Sequence, residues 1–148
     1  MRSTALICDT GALLDYVSVA APDHSAFRWA IDSAQTRYVP GLVLAEVDYF
    51  LRDHRTAMVG LMKDLRRGAF TYAPPTASIL ARAMEIDQAY PKLNLGLVDA
   101  SIVALAEELG VRRLATRDVR DFSAVRLRGG AAFDLVVTPA RPERRRKR

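Results

Sequence analysis

Thr4-Ala5-Leu6-Ile7-Cys8-Asp9-Thr10-Gly11 is the stretch that decides the fold. Ala5 to Cys8 run apolar, without the polar alternation of a half-solvated strand. Thr4–Asp9 therefore reads as a short strand covered on both faces. Helical periodicity follows directly, from Gly11 to about Val17. A doubly covered strand leading straight into a helix is how a parallel α/β sheet begins. Asp9 closes that strand, at the end where such sheets gather their ligands.

The same alternation continues along the chain. Asp23 and Ser25 can cap a helix reaching about Ser33, and Arg37–Val39 reads as a strand ending at Pro40. Leu42–Asp53 reads as a helix with Val43, Val47, Phe50 and Leu51 on one stripe, bordered by Glu46. Thr56–Arg67 is a further helix, closed by Gly68. Phe70–Ala73 reads as a strand stopped by Pro74-Pro75. A helix from Thr76 or Ser78 runs to about Ala89, ahead of Pro91. Val98–Leu109 is helical and ends at Gly110, and Val111–Ala115 and Phe133–Val137 complete the strands. The fold expected is one α/β domain over residues 1–140, a central parallel sheet flanked by helices.

The chain has 148 residues, half of them hydrophobic and a quarter charged, a composition that suits one domain with a real core. No apolar run approaches the length of a membrane span, and no basic segment leads into a long apolar one as in a secretory signal. Cys8 is the single cysteine, which excludes a disulfide framework and fits a reducing cytoplasm. The formal charge of +5 is unevenly placed. Six of the 22 basic residues and one of the 17 acidic ones lie in 141–148, leaving sixteen of each elsewhere. That C-terminal tail is expected to be disordered; it reads as a solvated terminus or as an arm for a polyanion.

Four acids stand where an acid is costly. Asp9 ends the first strand, Glu46 interrupts Leu42-Val43-Leu44-Ala45…Val47, Asp99 sits in Leu95-Gly96-Leu97-Val98…Ala100-Ser101-Ile102-Val103, and Asp118 follows Leu114-Ala115-Thr116-Arg117. A carboxylate in apolar surroundings costs several kcal/mol unless it is paired or bound to metal. Each alone reads as a cap or an ion pair. Four at strand ends and helix starts on one sheet edge suggest a shared cation, and oxygen-only ligation points to Mg²⁺ or Mn²⁺. Such ions serve phosphoryl transfer, so a nuclease is expected. Thr10, Thr116 and Ser101 could bond a ligand water or a phosphate oxygen; Thr10 and Ser101 read equally well as caps.

Taken together, these residues resemble a known family. Asp9-Thr10 after a buried strand, Ala45-Glu46-Val47, Gly96-Leu97-Val98-Asp99-Ala100 and Thr116-Arg117-Asp118-Val119-Arg120-Asp121-Phe122 look like a PIN domain. The nearest resemblance is to VapC-type ribonuclease toxins of type II toxin–antitoxin pairs, from Ile7 to Val137. By that resemblance Asp9, Glu46, Asp99 and Asp118 match the family's catalytic, metal-binding acids. Thr116 matches the hydroxyl residue accompanying the fourth acid. Asp121 is the next acid of that loop, expected to cap it and to act on the site only indirectly. The resemblance implies a Mg²⁺- or Mn²⁺-dependent endoribonuclease acting on structured RNA such as transfer or ribosomal RNA. It also implies a homodimer, and inhibition by a small antitoxin.

Other chemistries find less support. His24 and His54 have no partner at zinc-ligand spacing and read as surface or capping residues. No phosphate-binding loop of the Gly-x-x-x-x-Gly-Lys type exists, and Gly129-Gly130 reads as a turn. Trp29, Tyr49, Phe50 and Tyr72 could stack bases, but their spacing favours the core. Arg52, Arg55, Lys63, Arg66 and Arg67 read as a solvated face, with a phosphate track as the alternative. Met58, Leu61, Met62 and Leu65 exceed the needs of one stripe, so some are expected to meet a partner's helix or a second subunit. A housekeeping nuclease without antitoxin and a catalytically silent binding module remain the rival readings.

Overall fold

Leu6, Ile7 and Cys8 have no exposed surface and occupy the middle of a five-stranded sheet. The computed structural model describes residues 4–140; the basic run 141–148 lies outside them. In chain order the elements are β1 (Ala5–Cys8), α1 (Thr10–Val17), α2 (His24–Asp32), β2 (Thr36–Pro40), α3 (Gly41–Phe50) and α4 (Arg55–Arg66). They continue as β3 (Thr71–Ala73), α5 (Ala77–Ala89), α6 (Gly96–Leu109), β4 (Arg113–Ala115), α7 (Val119–Ala124) and β5 (Asp134–Leu135). The strand order is β3-β2-β1-β4-β5, and every pairing is parallel.

That order reverses direction at β1. The chain winds outward through β2 and β3, then returns to place β4 on the other side, with Ile7 beside both Tyr38 and Leu114. A crevice opens beyond the strands' carboxyl ends at such a reversal. Residues 9 and 116–118 flank it. Each fully buried aliphatic side chain of the central strands contributes about 1.5–3 kcal/mol, so β1 is a firm platform for whatever follows Cys8. Burial also pushes the Cys8 thiol up to about 12. The folded protein is therefore expected to resist iodoacetamide at pH 8, while urea-unfolded protein is alkylated fully; mass spectrometry of both checks this.

Local chemistry explains the helix ends. Thr76 accepts the Ile79 N–H at 3.1 Å and starts α5, as the sequence suggests. Gly110, at φ +66°, closes α6 in the left-handed region. Gly41, where β2 turns into α3, has no room for a side chain. A Cβ there would lie 2.7 Å from Pro75 and 2.9 Å from Pro74.

Several expectations need correction. Helix α3 stops at Phe50, because Leu51–Asp53 turn and the His54 N–H bonds the Leu51 carbonyl at 3.0 Å. Leu51 takes the buried place at the end of the stripe and Phe50 is left outside. Trp29, Tyr49, Phe50 and Tyr72 are not core; they are 74, 59, 43 and 49% exposed. Trp29 lies two residues from both Phe27 and Ile31, which face inward, so it points away from them. Tyr49 is two residues past buried Val47, and Tyr72 stands on the edge strand β3. Asp23 precedes α2 but makes no capping bond; its carboxylate is used elsewhere. Helix α7 was not anticipated as a helix at all.

Candidate active site

Each acid is delivered by a different piece of the reversal in the sheet. The Asp9 N–H continues the β1–β4 ladder to the Ala115 carbonyl at 2.9 Å. Its carboxylate accepts the Thr10 N–H at 2.7 Å through Oδ1 and the Thr116 hydroxyl at 2.7 Å through Oδ2. The Thr116 Oγ1 in turn accepts the Asp118 N–H at 3.0 Å. Asp118 caps α7, its Oδ1 accepting the Asp121 N–H at 3.3 Å. Asp99 projects from the first turn of α6, where the helix dipole favours a carboxylate.

Carboxylate oxygens of Asp99, Asp118 and Asp121 all lie within 4.8 Å of one another. Asp99 and Asp118 are half-buried and Asp121 is buried. Among the described residues this is the group of acids close enough to share an ion. Like charges at that separation repel unless a cation lies between them. Oxygens about 2.1–2.4 Å from a hard divalent ion can be up to about 4.8 Å apart across it. The donor set is carboxylate throughout, with no His or Cys, which fits Mg²⁺ or Mn²⁺ better than zinc.

Asp9 and Glu46 stand outside that group and are tied to it by hydroxyls. Thr116 links Asp9 to the Asp118 backbone. Thr10 Oγ1 donates to Glu46 Oε1 at 2.7 Å, bringing half-buried Glu46 of α3 against the start of α1. Thr10 and Thr116 thus orient acids. Ser101 turns inward instead, donating to the Val98 carbonyl at 2.6 Å within α6. Hydrogen bonds through Thr10 and Thr116 thus join Asp9, Glu46, Asp118 and Asp121, and Asp99 approaches Asp118 and Asp121 from α6.

Asp121 is closer to the chemistry than its sequence position suggests. The signal was Asp118-Val119-Arg120-Asp121, an i, i+3 spacing that puts two acids on one turn if α7 is recognised as a helix. A second group was not foreseen. Arg117 Nη1 bonds the carboxylates of Asp15 and, at 2.8 Å, Asp23, and all three side chains are nearly buried. His24 is half-buried, its Nδ1 2.8 Å from the Asp15 carbonyl oxygen, and His54 is exposed; neither approaches a metal-binding arrangement.

Comparison with known proteins follows the same outline. Residues 6–127 match the PIN domain. Ribonuclease VapC26 of Mycobacterium tuberculosis is 37% identical over 134 residues, covering 88% of this chain and 99% of that protein. The crystal structure of M. tuberculosis VapC20, a sarcin–ricin loop cleaving toxin, superposes with a TM-score of 0.69 at 18% identity, covering 78% of this chain and 92% of that one. A toxin–antitoxin complex from Klebsiella pneumoniae gives 0.66 at 21% identity, over 81% and 92%. VapBC2 of Rickettsia felis, bound to a promoter DNA fragment, gives 0.61 at 15%, over 82% and 92%. The family match runs from β1 through α7 and takes in every acid of the cluster, so this chain belongs to the PIN domain family.

Proposed function

We propose that this protein is a Mg²⁺- or Mn²⁺-dependent endoribonuclease toxin that cleaves structured RNA, such as transfer or ribosomal RNA, and is held silent by a cognate antitoxin. The observation that carries this reading is the convergence of Asp99, Asp118 and Asp121, with Asp9 and Glu46 bonded to their flank. When bound, the ion supplies a Lewis acid for the phosphodiester and lowers the pKa of a bound water. Asp99, Asp118 and Asp121 would hold it, from two different helices. Thr116 and Thr10 fix the orientation of Asp9 and Glu46 before substrate arrives, which reduces the ordering needed at the moment of reaction.

RNA as substrate is supported by the helix that carries Glu46. Tyr49 and Phe50 follow it by three and four residues and so share its face, at about 5–6 Å between Cβ atoms. Their rings meet edge-on at 5.5 Å, and the Arg52 guanidinium lies 5.4 Å from the Tyr49 centroid. Exposed aromatic rings beside a cation suit unpaired bases and their phosphates. A protein partner is supported by Val59 and Met62, which α4 leaves about half exposed while Met58 and Leu61 enter the core. An antitoxin helix is the occupant this reading assigns to that face, with a homodimer as its other assembly. The ribonuclease named among the relatives supports RNA as the substrate, and the toxin–antitoxin complex among the structural neighbours supports an antitoxin as the partner. No helix of the described residues is long and apolar enough to cross a membrane, which accords with action in the cytoplasm.

The decisive experiment is cleavage of a total small-RNA pool by purified, antitoxin-free protein with Mg²⁺, with Mn²⁺ and with chelator. Discrete fragments that require metal are expected. Cleavage that persists undiminished in chelator would sink the metal-dependent reading. Independently, saturating Mg²⁺ is expected to raise the melting temperature by several degrees, since ligand at 100 times Kd stabilises by about 2.7 kcal/mol. An unchanged melting curve across millimolar Mg²⁺ and Mn²⁺ would remove the ion from the proposal.

A further inference from the structure

Arg117 separates Thr116 from Asp118, the two loop residues that face the acids, yet its own side chain leaves in another direction. Past the end of β4 the chain bends at Arg117, and the Asp118 N–H folds back on the Thr116 hydroxyl. Thr116 reaches Asp9, while Arg117 lies over Gly11 and ends between Asp15 of α1 and Asp23 ahead of α2. Its stem packs closely on Gly11: a Cβ there would lie 3.0, 3.1 and 3.3 Å from the Cγ, Cδ and Cβ of Arg117. The two side chains thus straddle the segment Asp9-Thr10-Gly11. They fix the loop bearing Asp118 on the start of α1, where Thr10 holds Glu46.

We infer that Arg117 is a positioning residue of the acid cluster, a clamp that sets the separation of the Asp118–Asp121 turn from Asp9 and Glu46. The inference rests on the metal-site reading above. The clamp is strong because it is dry. The Arg117 side chain is 13% exposed, and Asp15 and Asp23 are buried. One guanidinium nitrogen meets both carboxylates, so it joins the Asp118 loop to α1 and to the turn before α2 at once. Asp23 also accepts the Ala140 N–H at 3.0 and 3.2 Å, tying the segment after β5 into the same knot. Burial pushes the Asp15 carboxyl up, against the pull of Arg117. Burial acts likewise on Asp23, but the bonds from Arg117 and Ala140 outweigh it and hold that carboxyl below its ordinary value. In this scheme Arg117 acts through Asp118.

The test is Mn²⁺ affinity of the full chain, measured by electron paramagnetic resonance and by calorimetry, alongside thermal melting. Arg117→Gln is expected to weaken Mn²⁺ binding about 10–100-fold, the usual cost of losing a group that orients metal ligands. Arg117→Lys is expected to recover part of it. Gly11→Ala retains every charge but displaces the arginine stem, and a several-fold weakening is expected. Arg82→Gln is the control. It breaks the 2.8 Å ion pair of α5 with Glu107, about two turns further along α6 than Asp99, and should lower the melting temperature while leaving Mn²⁺ affinity unchanged. A folded Arg117→Gln protein that binds Mn²⁺ as tightly as wild type overturns the inference. Should Arg117→Gln fail to fold, unchanged Mn²⁺ affinity in Gly11→Ala overturns it equally. Wild-type protein that binds no Mn²⁺ defeats the metal reading itself, and this inference with it.

Discussion

Asp99→Asn is expected to lower metal-dependent RNA cleavage by at least about 100-fold. Several kcal/mol of transition-state charge stabilisation rest on a bound ion, and each 1.36 kcal/mol is a factor of ten. Asp99 is the acid of the three supplied by α6, whereas Asp118 and Asp121 share one turn of α7. Asparagine preserves shape and removes charge, so the loss reads on ligation and not on packing. In chelator the variant should melt at or above the wild type, because one of three repelling carboxylates has gone. Asp121→Asn separates two roles for that residue. As a ligand it costs about as much as Asp99→Asn; as a member of the α7 first turn alone it changes cleavage only a few-fold. Rates across a Mg²⁺ titration decide both, and wild-type cleavage by Asp99→Asn would remove the cluster from the mechanism.

Phe122→Ala is expected to be the most destabilising single change near the site. Helix α7 has six residues, too few to persist on propensity. It stays in place because Phe122, fully buried, meets the Phe133 ring edge-on at 5.7 Å. Truncation to alanine in a core costs about 3–5 kcal/mol, the upper part of that range being reasonable where an aromatic pair is also lost. At about 2–4 °C per kcal/mol for a chain of this size, the melting temperature should fall by roughly 10 °C or more. Mn²⁺ affinity should fall with it, since Asp121 precedes Phe122 directly. Phe122→Leu should cost far less, about 1.5 kcal/mol or below. A Phe122→Ala protein melting within about 2 °C of wild type would show that α7 is held by something else.

The parallel sheet was legible because β1 is apolar on both faces and short strands alternate with helical stretches after it. Asp9, Glu46, Asp99 and Asp118 could be found from one property, charge inside an apolar run. Asp121 escaped that rule. Asp118 follows the apolar strand closely, whereas Asp121 lies three residues further on, after Val119-Arg120, where an acid costs nothing on paper. Its burial follows from Phe122 docking, which no local pattern announces. The exposed aromatics escaped for the opposite reason. Tyr49 and Phe50 share a helix with buried Val43 and Val47, and only the early end of α3 decides which of them the core can use. Arg117, Asp15 and Asp23 escaped because their bonds join residues about 100 positions apart.

The bond from Thr116 to Asp9 spans 107 residues of sequence, and β1 lies between β2 and β4, with β5 outside β4. A chain emerging from the ribosome can pair β1 with β2 early, before Asp99, Asp118 and Asp121 have been made. Contacts of such separation form late in folding. The order of synthesis is thus a safeguard: a product broken off anywhere before Asp118 lacks both Asp118 and Asp121, and would carry an unfinished sheet in place of a working nuclease.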